Sequence, residues 1–288
     1  MTAVNDLPNI VPYPGQVTTD GGEPVRPQAL MLTFLGIYLL DTGTAVFSGS
    51  VIDVFRRAGV SADATRSTLT RMVHRDLLAR HRRGRRMYFG LTGRSAAVLR
   101  AGQQRVWQAG VVNRDWDGTW TMLGFSLPEG WRRQRHELRS RLIWGGFGRL
   151  HSGMWISPGR ADVPVLVAGL GLDQHLHAFT ARAAAPTGDS ELIRTAFDIP
   201  GIAARYAGFA ARWGGALPHP GDDLARQLLL HADWLQVIRK DPRLPAGHLP
   251  AGWPAIPAEA LFHTLAAACQ APAAQAAADM LDTIRPSG

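Results

Sequence analysis

The stretch that decides the fold is SADATRSTLTRMVHRDLLARHRRGRRMYFGL, residues 61–91. Its first half predicts a helix over Ala62–Arg75, because Ser61 is a favourable N-cap and apolar residues recur at helical spacing from Leu69 onward. Its second half predicts two short strands joined around Gly84, with arginines on both sides of the turn. The stretch therefore predicts a helix followed directly by a β-hairpin.

Two further helices are predicted upstream of this stretch. Residues 28–40 place apolar side chains on one helical face, and residues 51–58 form a second short helix for which Ser48-Gly49-Ser50 offers an N-cap. Only a few residues separate the second helix from the third, as in a helix-turn-helix. With a further helix from Thr92 through Arg105, residues 28–110 predict a winged helix-turn-helix domain.

Positive charge is concentrated in this domain. Residues 56–105 contain thirteen arginines and only two acids, which gives this window a charge of +11, whereas the whole chain carries +8. A merely solvated surface would intersperse both signs of charge, and a polyanion-binding surface gathers one sign on one face. The charge distribution therefore favours binding to nucleic acid.

Eight residues are predicted to contact DNA, and they divide by the kind of contact. Side chains on the outer face of the third helix can reach base edges in the major groove, and arginines in the wing neutralise phosphates. The helix residues are Arg66, Ser67, Thr70 and Arg71, and the wing residues are Arg82, Arg83, Arg85 and Arg86. One short helix reads few bases, so we expect a homodimer on an inverted or pseudo-palindromic operator of double-stranded DNA.

The rest of the chain predicts two more domains. Residues 116–200 alternate strands and helices, an order that is typical of a ferredoxin-like α+β domain. The predicted strands are residues 119–127, 151–157 and 174–183, and the predicted helices are residues 131–144 and 189–197. Residues 201–288 read as a helical C-terminal domain whose last helix runs from Pro257 to about Ile284. Residues 1–27 are rich in Pro and Gly and are predicted to form a flexible arm.

Several classes of protein are disfavoured by the composition. Cys269 is the only cysteine, which excludes internal disulfides and sites built on several thiolates. His175 and His177 lie two residues apart but lack a nearby acid or thiolate, so no metal is predicted, and Asp222-Asp223 is interpreted as a helix cap. No apolar run is long enough to cross a bilayer, and no secretory signal is apparent, so we expect a cytoplasmic protein without cofactor and without membrane contact.

Three blocks of sequence resemble one family, the PaaX-type repressors of phenylacetate catabolism. The first is residues 28–91, described above. The second contains WDGTW at 116–120, RLIWGGFG at 141–148 and GMWISP at 153–158, and the third contains HADW at 231–234 and RKDPRLP at 239–245. The blocks keep their order from about residue 28 to residue 268.

This resemblance implies a dimeric, three-domain transcriptional repressor that is released from DNA by a coenzyme A thioester of an aryl or acyl acid. Such an effector needs an apolar slot and cations for its phosphates. Candidate effector residues in the later domains are Trp144, Trp155, Trp234, Arg239, Lys240 and Arg243. The alternatives are an RNA-binding module, or an enzyme such as a nuclease on the ferredoxin-like domain or a thioesterase-like hydrolase. Both enzymes are disfavoured, because the sequence shows neither a cluster of acids for a metal nor a nucleophile paired with a base.

Overall fold

The computed structural model describes residues 27–107, 110–216 and 222–286. The predicted arm therefore lies outside the described residues except for Pro27, which begins the first helix. The described part of the chain combines helices with two four-stranded antiparallel sheets. This architecture confirms the predicted α+β class.

The elements are numbered in chain order. The N-terminal ones are α1 (Pro27–Tyr38), β1 (Ala45–Phe47), α2 (Ser48–Arg57), α3 (Ala62–His74), β2 (Leu78–Arg83), β3 (Arg86–Leu91) and α4 (Gly93–Trp107). The central ones are β4 (Trp120–Phe125), α5 (Arg132–Trp144), β5 (Gly148–His151), β6 (Met154–Pro158), α6 (Val163–Val167), β7 (Leu176–Ala181) and α7 (Asp189–Ala196). The last ones are α8 (Ile199–Trp213), α9 (Asp223–Ile238), α10 (Ala255–Met280) and β8 (Thr283–Ile284).

The described residues divide into two compact units. One, here called the hairpin unit, contains those in residues 27–109, 208–236 and 260–286. The other, the middle unit, contains residues 110–207 and 237–259. The hairpin unit thus combines N-terminal residues with segments from the predicted C-terminal domain. The predicted boundaries of the three domains remain untested.

The sheet of the hairpin unit has the strand order β2-β3-β1-β8. Strands β2 and β3 form the predicted hairpin, in which Arg83 pairs with Arg86 across the turn. The other two strands were not predicted: β1 pairs with β3, and the C-terminal β8 pairs with β1 through Ala45–Ile284 and Val46–Thr283. Strand β8 therefore forms one edge of the sheet that contains the hairpin.

Two sequence predictions about helix ends in this unit are wrong. The residues Ser48–Ser50 do not precede α2 but form its first turn, and Phe47 occupies the N-cap position without a side-chain cap. The last helix ends at Met280 instead of near Ile284 because the chain then turns into β8. Other caps were predicted correctly: the hydroxyl of Thr92 accepts from the amide of Ser95 at the start of α4, and Asp222 accepts from Ala225 at the start of α9.

The middle unit follows the order βαββαβ, and its sheet has the strand order β5-β6-β4-β7. Its core lies on one face of the sheet, where Leu123 and Trp155 pack against Leu138 and Leu142 of α5 and against Val163 of α6. The strand predicted over residues 151–157 corresponds mainly to β6, but its first residue, His151, belongs to β5, which was not predicted. The chain turns between these two strands at Gly153, which has φ of +76°.

Among the described residues, no helix combines the length and the apolar character that crossing a bilayer requires.

Candidate nucleic-acid interface

Helix α3 has one buried face and one exposed face. The hydroxyl of Ser61 accepts a hydrogen bond from the amide of Ala64 at 3.2 Å, which confirms the predicted N-cap. Leu69 and Met72 are buried, as predicted, and Thr65 and Thr68 are buried with their hydroxyls bonded to carbonyls one turn earlier. The opposite side of the helix is consequently available to solvent.

All four predicted contact residues of α3 lie on this exposed side: Arg66, Ser67, Thr70 and Arg71. Two of them have local partners. The guanidinium of Arg66 lies 2.8 Å from the carboxylate of Asp63, and Arg71 donates to the Thr68 hydroxyl at 3.2 Å. An exposed ion pair of this kind is worth little in water, so Arg66 can exchange its carboxylate for another anion at small cost.

The β2–β3 hairpin places arginines on both sides of a two-residue turn. Gly84 has φ of +59°, a left-handed conformation that glycine adopts without steric cost, and Arg82 donates to the Gly84 carbonyl at 3.0 Å. The arginines of the hairpin tip are exposed: Arg82, Arg83, Arg85 and Arg86. Arg83 and Arg85 form no ion pair with any described residue.

Arg86 differs from its neighbours in the hairpin. Its guanidinium lies 2.6 Å from the Asp282 carboxylate and 5.2 Å from the centre of the Phe47 ring. The same carboxylate accepts a hydrogen bond from the Tyr88 hydroxyl at 3.0 Å. The hydrogen bond to Asp282 raises the pKa of Arg86 above its ordinary value. Arg86 therefore links the hairpin to the C-terminal strand, a role that sequence reasoning missed because its partner is remote in the chain.

We call the exposed side of α3 together with the hairpin tip the helix–hairpin surface; it consists of the eight residues Arg66, Ser67, Thr70, Arg71, Arg82, Arg83, Arg85 and Arg86. Both parts belong to one compact unit, and α3 packs against β2. Two other exposed arginines of this unit are neutralised locally, Arg56 by Asp53 and Arg100 by Asp41. Arg83 and Arg85 at the hairpin tip have no such acid among the described residues.

The six predicted effector residues lie in different surroundings. Trp155 is packed in the core of the middle unit, and Trp234 is stacked on Phe262 at 4.8 Å in the hairpin unit. Trp144 and Arg239 are partly buried, whereas Lys240 and Arg243 are exposed in the middle unit. Arg243 donates to the Gly110 carbonyl at 2.8 Å. Trp155 and Trp234 thus belong to the cores of different units, and the effector role of the six residues stays a prediction.

A cleft of about 380 Å³ in the middle unit was not predicted. It lies on the sheet face opposite the α5–α6 core, and its floor contains Met122, Met154 and Ile156. Arg182 and His151 also line it. The alternation of large side chains along β4 could have indicated that this strand has two apolar faces. Only the strand order shows which residues of β6 lie beside the residues of β4 on the cleft side.

The buried titratable side chains of the hairpin unit are hydrogen-bonded or packed within the protein core. Burial lowers the pKa of His231 to about 4, and its ring lies 2.8 Å from the Gln227 carbonyl, which accepts from the neutral imidazole. Burial raises the pKa of the Cys269 thiol, which disfavours the reactive thiolate. Asp233 accepts from Arg212 twice, at 2.9 Å each, and from the Trp213 indole at 2.8 Å. These groups stabilise the fold and are not arranged as a nucleophile with its base.

The two histidines that the sequence analysis considered as metal ligands, His175 and His177, have different neighbours. The His175 ring packs edge-to-face on Trp131 at 5.0 Å, and His177 is exposed on β7 opposite Gly124. No cluster of three or more His, Cys, Asp or Glu side chains suited to a metal ion occurs in the part of the chain that the structure describes.

Three family models match consecutive parts of the chain. The model described as "PaaX-like protein" matches residues 26–95, that of the "PaaX protein central Cas2-like domain" matches residues 113–193, and that of the "PaaX-like protein C-terminal domain" matches residues 197–279. The matches keep the order of the three blocks in the sequence.

Two individual proteins are similar to the chain. The transcriptional repressor PaaX of Escherichia coli (strain K12) is 27% identical over 245 residues, which cover 80% of this chain and 76% of that protein. The solved structure of the uncharacterized protein Rv0674 from Mycobacterium tuberculosis has a TM-score of 0.58 and 23% identity, and the likeness covers 88% of this chain and 98% of that one. At this identity the structural likeness shows a shared fold and nothing more.

Proposed function

Since this chain belongs to the PaaX family of transcriptional repressors, we propose that it represses transcription by binding duplex DNA through the helix–hairpin surface. The family consists of regulators and not of enzymes. The observation that carries the proposal is the pair of exposed arginines at the hairpin tip, Arg83 and Arg85, beside the polar face of α3 in one compact unit.

We interpret α1, α2 and α3 with the hairpin as a winged helix-turn-helix, and the βαββαβ part as a ferredoxin-like domain. In this arrangement α3 enters the major groove, where Ser67, Thr70 and Arg71 can meet base edges. The wing then lies along the phosphate backbone, where Arg83 and Arg85 bind by charge alone. The two parts of the surface accordingly supply specificity and affinity separately.

We further propose that the repressor acts as a homodimer in the cytoplasm. A helix the length of α3 contacts too few base pairs to select one site in a genome, and a two-fold dimer doubles the sequence that is read. The operator should then be an inverted repeat with half-site centres about one helical turn, or a multiple of it, apart.

We also propose that the effector is a coenzyme A thioester of an aryl or acyl acid, as in regulation of phenylacetate catabolism. We place the binding site of its acyl group in the cleft of the middle unit instead of beside the predicted tryptophans. Trp155 and Trp234 are buried core residues, whereas the cleft of the middle unit is lined by the partly exposed Met122 and by the exposed Met154. Its volume is within the range of small-molecule sites, roughly 300–1,000 Å³. Arg182 in its wall, and the exposed Lys240 and Arg243, are cations available for phosphates.

The direct test uses the purified full chain and DNA from the region upstream of its own gene. Fluorescence anisotropy with this DNA, a random duplex, an RNA duplex and single strands should show tightest binding to the upstream duplex, steeply weakened by salt. Equal binding to RNA and DNA duplexes, or no salt dependence, would contradict the proposal. Nuclease protection of the upstream fragment then locates the operator and shows whether it is an inverted repeat.

The effector is tested separately on the preformed complex. Aryl- and acyl-coenzyme A esters should release the DNA, whereas free acids and free coenzyme A should not. By linkage, the ester must bind DNA-free protein more tightly than the complex by the same factor, about 5–150-fold. Met122→Trp, which fills the cleft, should abolish release and leave DNA affinity unchanged; release that persists in this variant would exclude the cleft.

A further inference from the structure

The arginines of α5 in the middle unit fall into two groups that the sequence does not distinguish. Arg135 folds back and donates to the carbonyls of Leu127 and Pro128, at 3.1 Å each. Arg141 is buried, donates to the Ala168 carbonyl at 2.7 Å and pairs with Glu137 at 2.9 Å. These two arginines hold α5 and its flanking loops together.

The other three arginines of α5 face solvent. Arg132, Arg133 and Arg139 are exposed, and none of them forms an ion pair with a described residue. At 100° per residue, Arg132, His136 and Arg139 lie within one narrow stripe, and Arg133 lies beside it. The buried Leu138 and Leu142 lie on another side of the helix, roughly 100° around from this stripe. We call the exposed stripe, Arg132, Arg133, His136 and Arg139, the α5 face.

Two of these arginines occupy a place that does not favour the helix. Arg132 and Arg133 lie in the first turn of α5, which contains no acid, and the N-cap residue Trp131 makes no side-chain cap. The positive end of the helix dipole is there, so cations destabilise this turn and anions stabilise it. Helix stability therefore does not explain these arginines, and a bound anion would.

The α5 arginines contrast with two exposed arginines of the hairpin unit. On α2 and α3, Arg56 and Arg66 each have an acid three residues earlier that neutralises them. On α5 the one acid, Glu137, is taken by the buried Arg141. The α5 face therefore keeps a net positive charge spread over about 10 Å, at 1.5 Å rise per residue.

From this arrangement we infer that the α5 face is a second phosphate-binding surface, and that it contacts the backbone of duplex DNA. The inference rests on the proposed function. The shape of the site favours a polyanion over a small ligand, because the cations line an exposed helix face and do not converge on a cleft. The contacts are to phosphates, so they add affinity without base preference.

The test compares two triple variants of the full chain on a random 30-base-pair duplex across a salt series. Arg132→Ala with Arg133→Ala and Arg139→Ala should make the slope of log K against log salt shallower by about one phosphate-equivalent per arginine that binds. The control removes three other exposed arginines of the middle unit, Arg149, Arg160 and Arg194, and should leave the slope unchanged. A triple Arg→Lys variant of the α5 face should retain the slope, which separates lost charge from misfolding.

A second measurement is direct. The native thiol of Cys269 is buried, so a cysteine at position 139 can be labelled selectively with an iron chelate that cleaves nearby DNA. Arg139→Cys should cut the bound duplex, and Arg194→Cys on α7 should not.

Failure of this inference is distinguishable from failure of the proposed function. If the wild-type chain binds DNA but the α5 variant and the control variant have equal slopes, and position 139 does not cut, the α5 face does not touch DNA. If the wild-type chain does not bind duplex DNA at all, the proposed function itself fails.

Discussion

Arg86 in the hairpin and Asp282 near the end of the chain lie 2.6 Å apart across 196 residues of sequence. The backbone around Asp282 is bonded as well: its carbonyl accepts from the Phe47 amide at 2.8 Å, and its own amide donates to the Ser50 hydroxyl at 3.1 Å. Asp282 therefore joins the hairpin, β1 and α2. Of the arginines at the hairpin tip, Arg86 alone forms an ion pair among the described residues.

The arginines of the hairpin should consequently separate into two kinds. Arg83→Ala with Arg85→Ala should weaken binding to operator and random duplex by similar factors and make the salt slope shallower by about two phosphate-equivalents, with an unchanged denaturation midpoint. Arg86→Ala should mainly lower the denaturation midpoint, since it removes a link to the C-terminal strand. Salt-series anisotropy and urea unfolding check both; an equal loss of slope per arginine would contradict the division.

The C-terminal strand should stabilise the hairpin unit. Deletion of residues 281–288 removes β8 and Asp282, leaving the edge of β1 and Arg86 without their partners. We expect a lower denaturation midpoint and faster hydrogen exchange at the amides of β1, measured by mass spectrometry. Asp282→Asn, which keeps the strand, should show a smaller effect. A truncated chain with the exchange pattern of the full chain would refute the role of β8.

The exposed side of α3 should determine sequence preference. Arg71→Ala should cost about 1–3 kcal/mol on the operator relative to random duplex, because a base contact is lost. Asp63→Ala, which releases Arg66 from its ion pair, should leave operator affinity equal or raise it. Binding to a library of operator variants measures both; a change in Arg71→Ala that is the same on every sequence would assign this residue to phosphate instead.

Acid should destabilise the protein through His231. Its pKa is lowered to about 4 by burial, whereas in the unfolded chain it is about 6.5, so between these values the unfolded state binds a proton that the folded state does not. This contribution to stability is fully present above pH 6.5 and is lost as the pH falls towards 4. Between pH 7 and pH 5 the free energy of unfolding should therefore fall by about 2 kcal/mol. Urea unfolding of His231→Gln should show a correspondingly smaller difference between the two pH values, and the exposed His136→Gln serves as matched control.

Asp233 should be among the side chains whose loss destabilises the hairpin unit most. It is 9% exposed and accepts from both Arg212 and the Trp213 indole. Asp233→Ala leaves a partly buried guanidinium and an indole without this acceptor, at a cost of about 3 kcal/mol. Asp53→Ala removes an exposed ion pair on α2 and should change the free energy of unfolding by about 0.5 kcal/mol or less. Equal effects of the two substitutions would show that burial does not govern the contribution of Asp233.

Local sequence was sufficient for the elements with strong local signals. Helix α3 follows from the Ser61 cap and the spacing of Leu69 and Met72, and the hairpin follows from Gly84 between two short strands. These features depend on hydrogen bonds and side-chain periodicity within about a dozen residues, so they can be read without knowledge of the rest of the chain. The same holds for the exposure of the predicted contact residues on α3.

Tertiary structure alone decided what depends on partners distant in the chain. Strands β1 and β8 have three and two residues, too few for any periodicity; β1 forms where residues 45–47 pair with residues 88–90 of β3, and β8 forms where residues 283–284 pair with β1. Similarly, nothing in the local sequence separates Arg86 from Arg85; Arg86 meets a carboxylate brought to it by folding, and Arg85 faces solvent. Charge can be counted from sequence, but whether a charge is free to bind another molecule depends on which groups the fold places beside it.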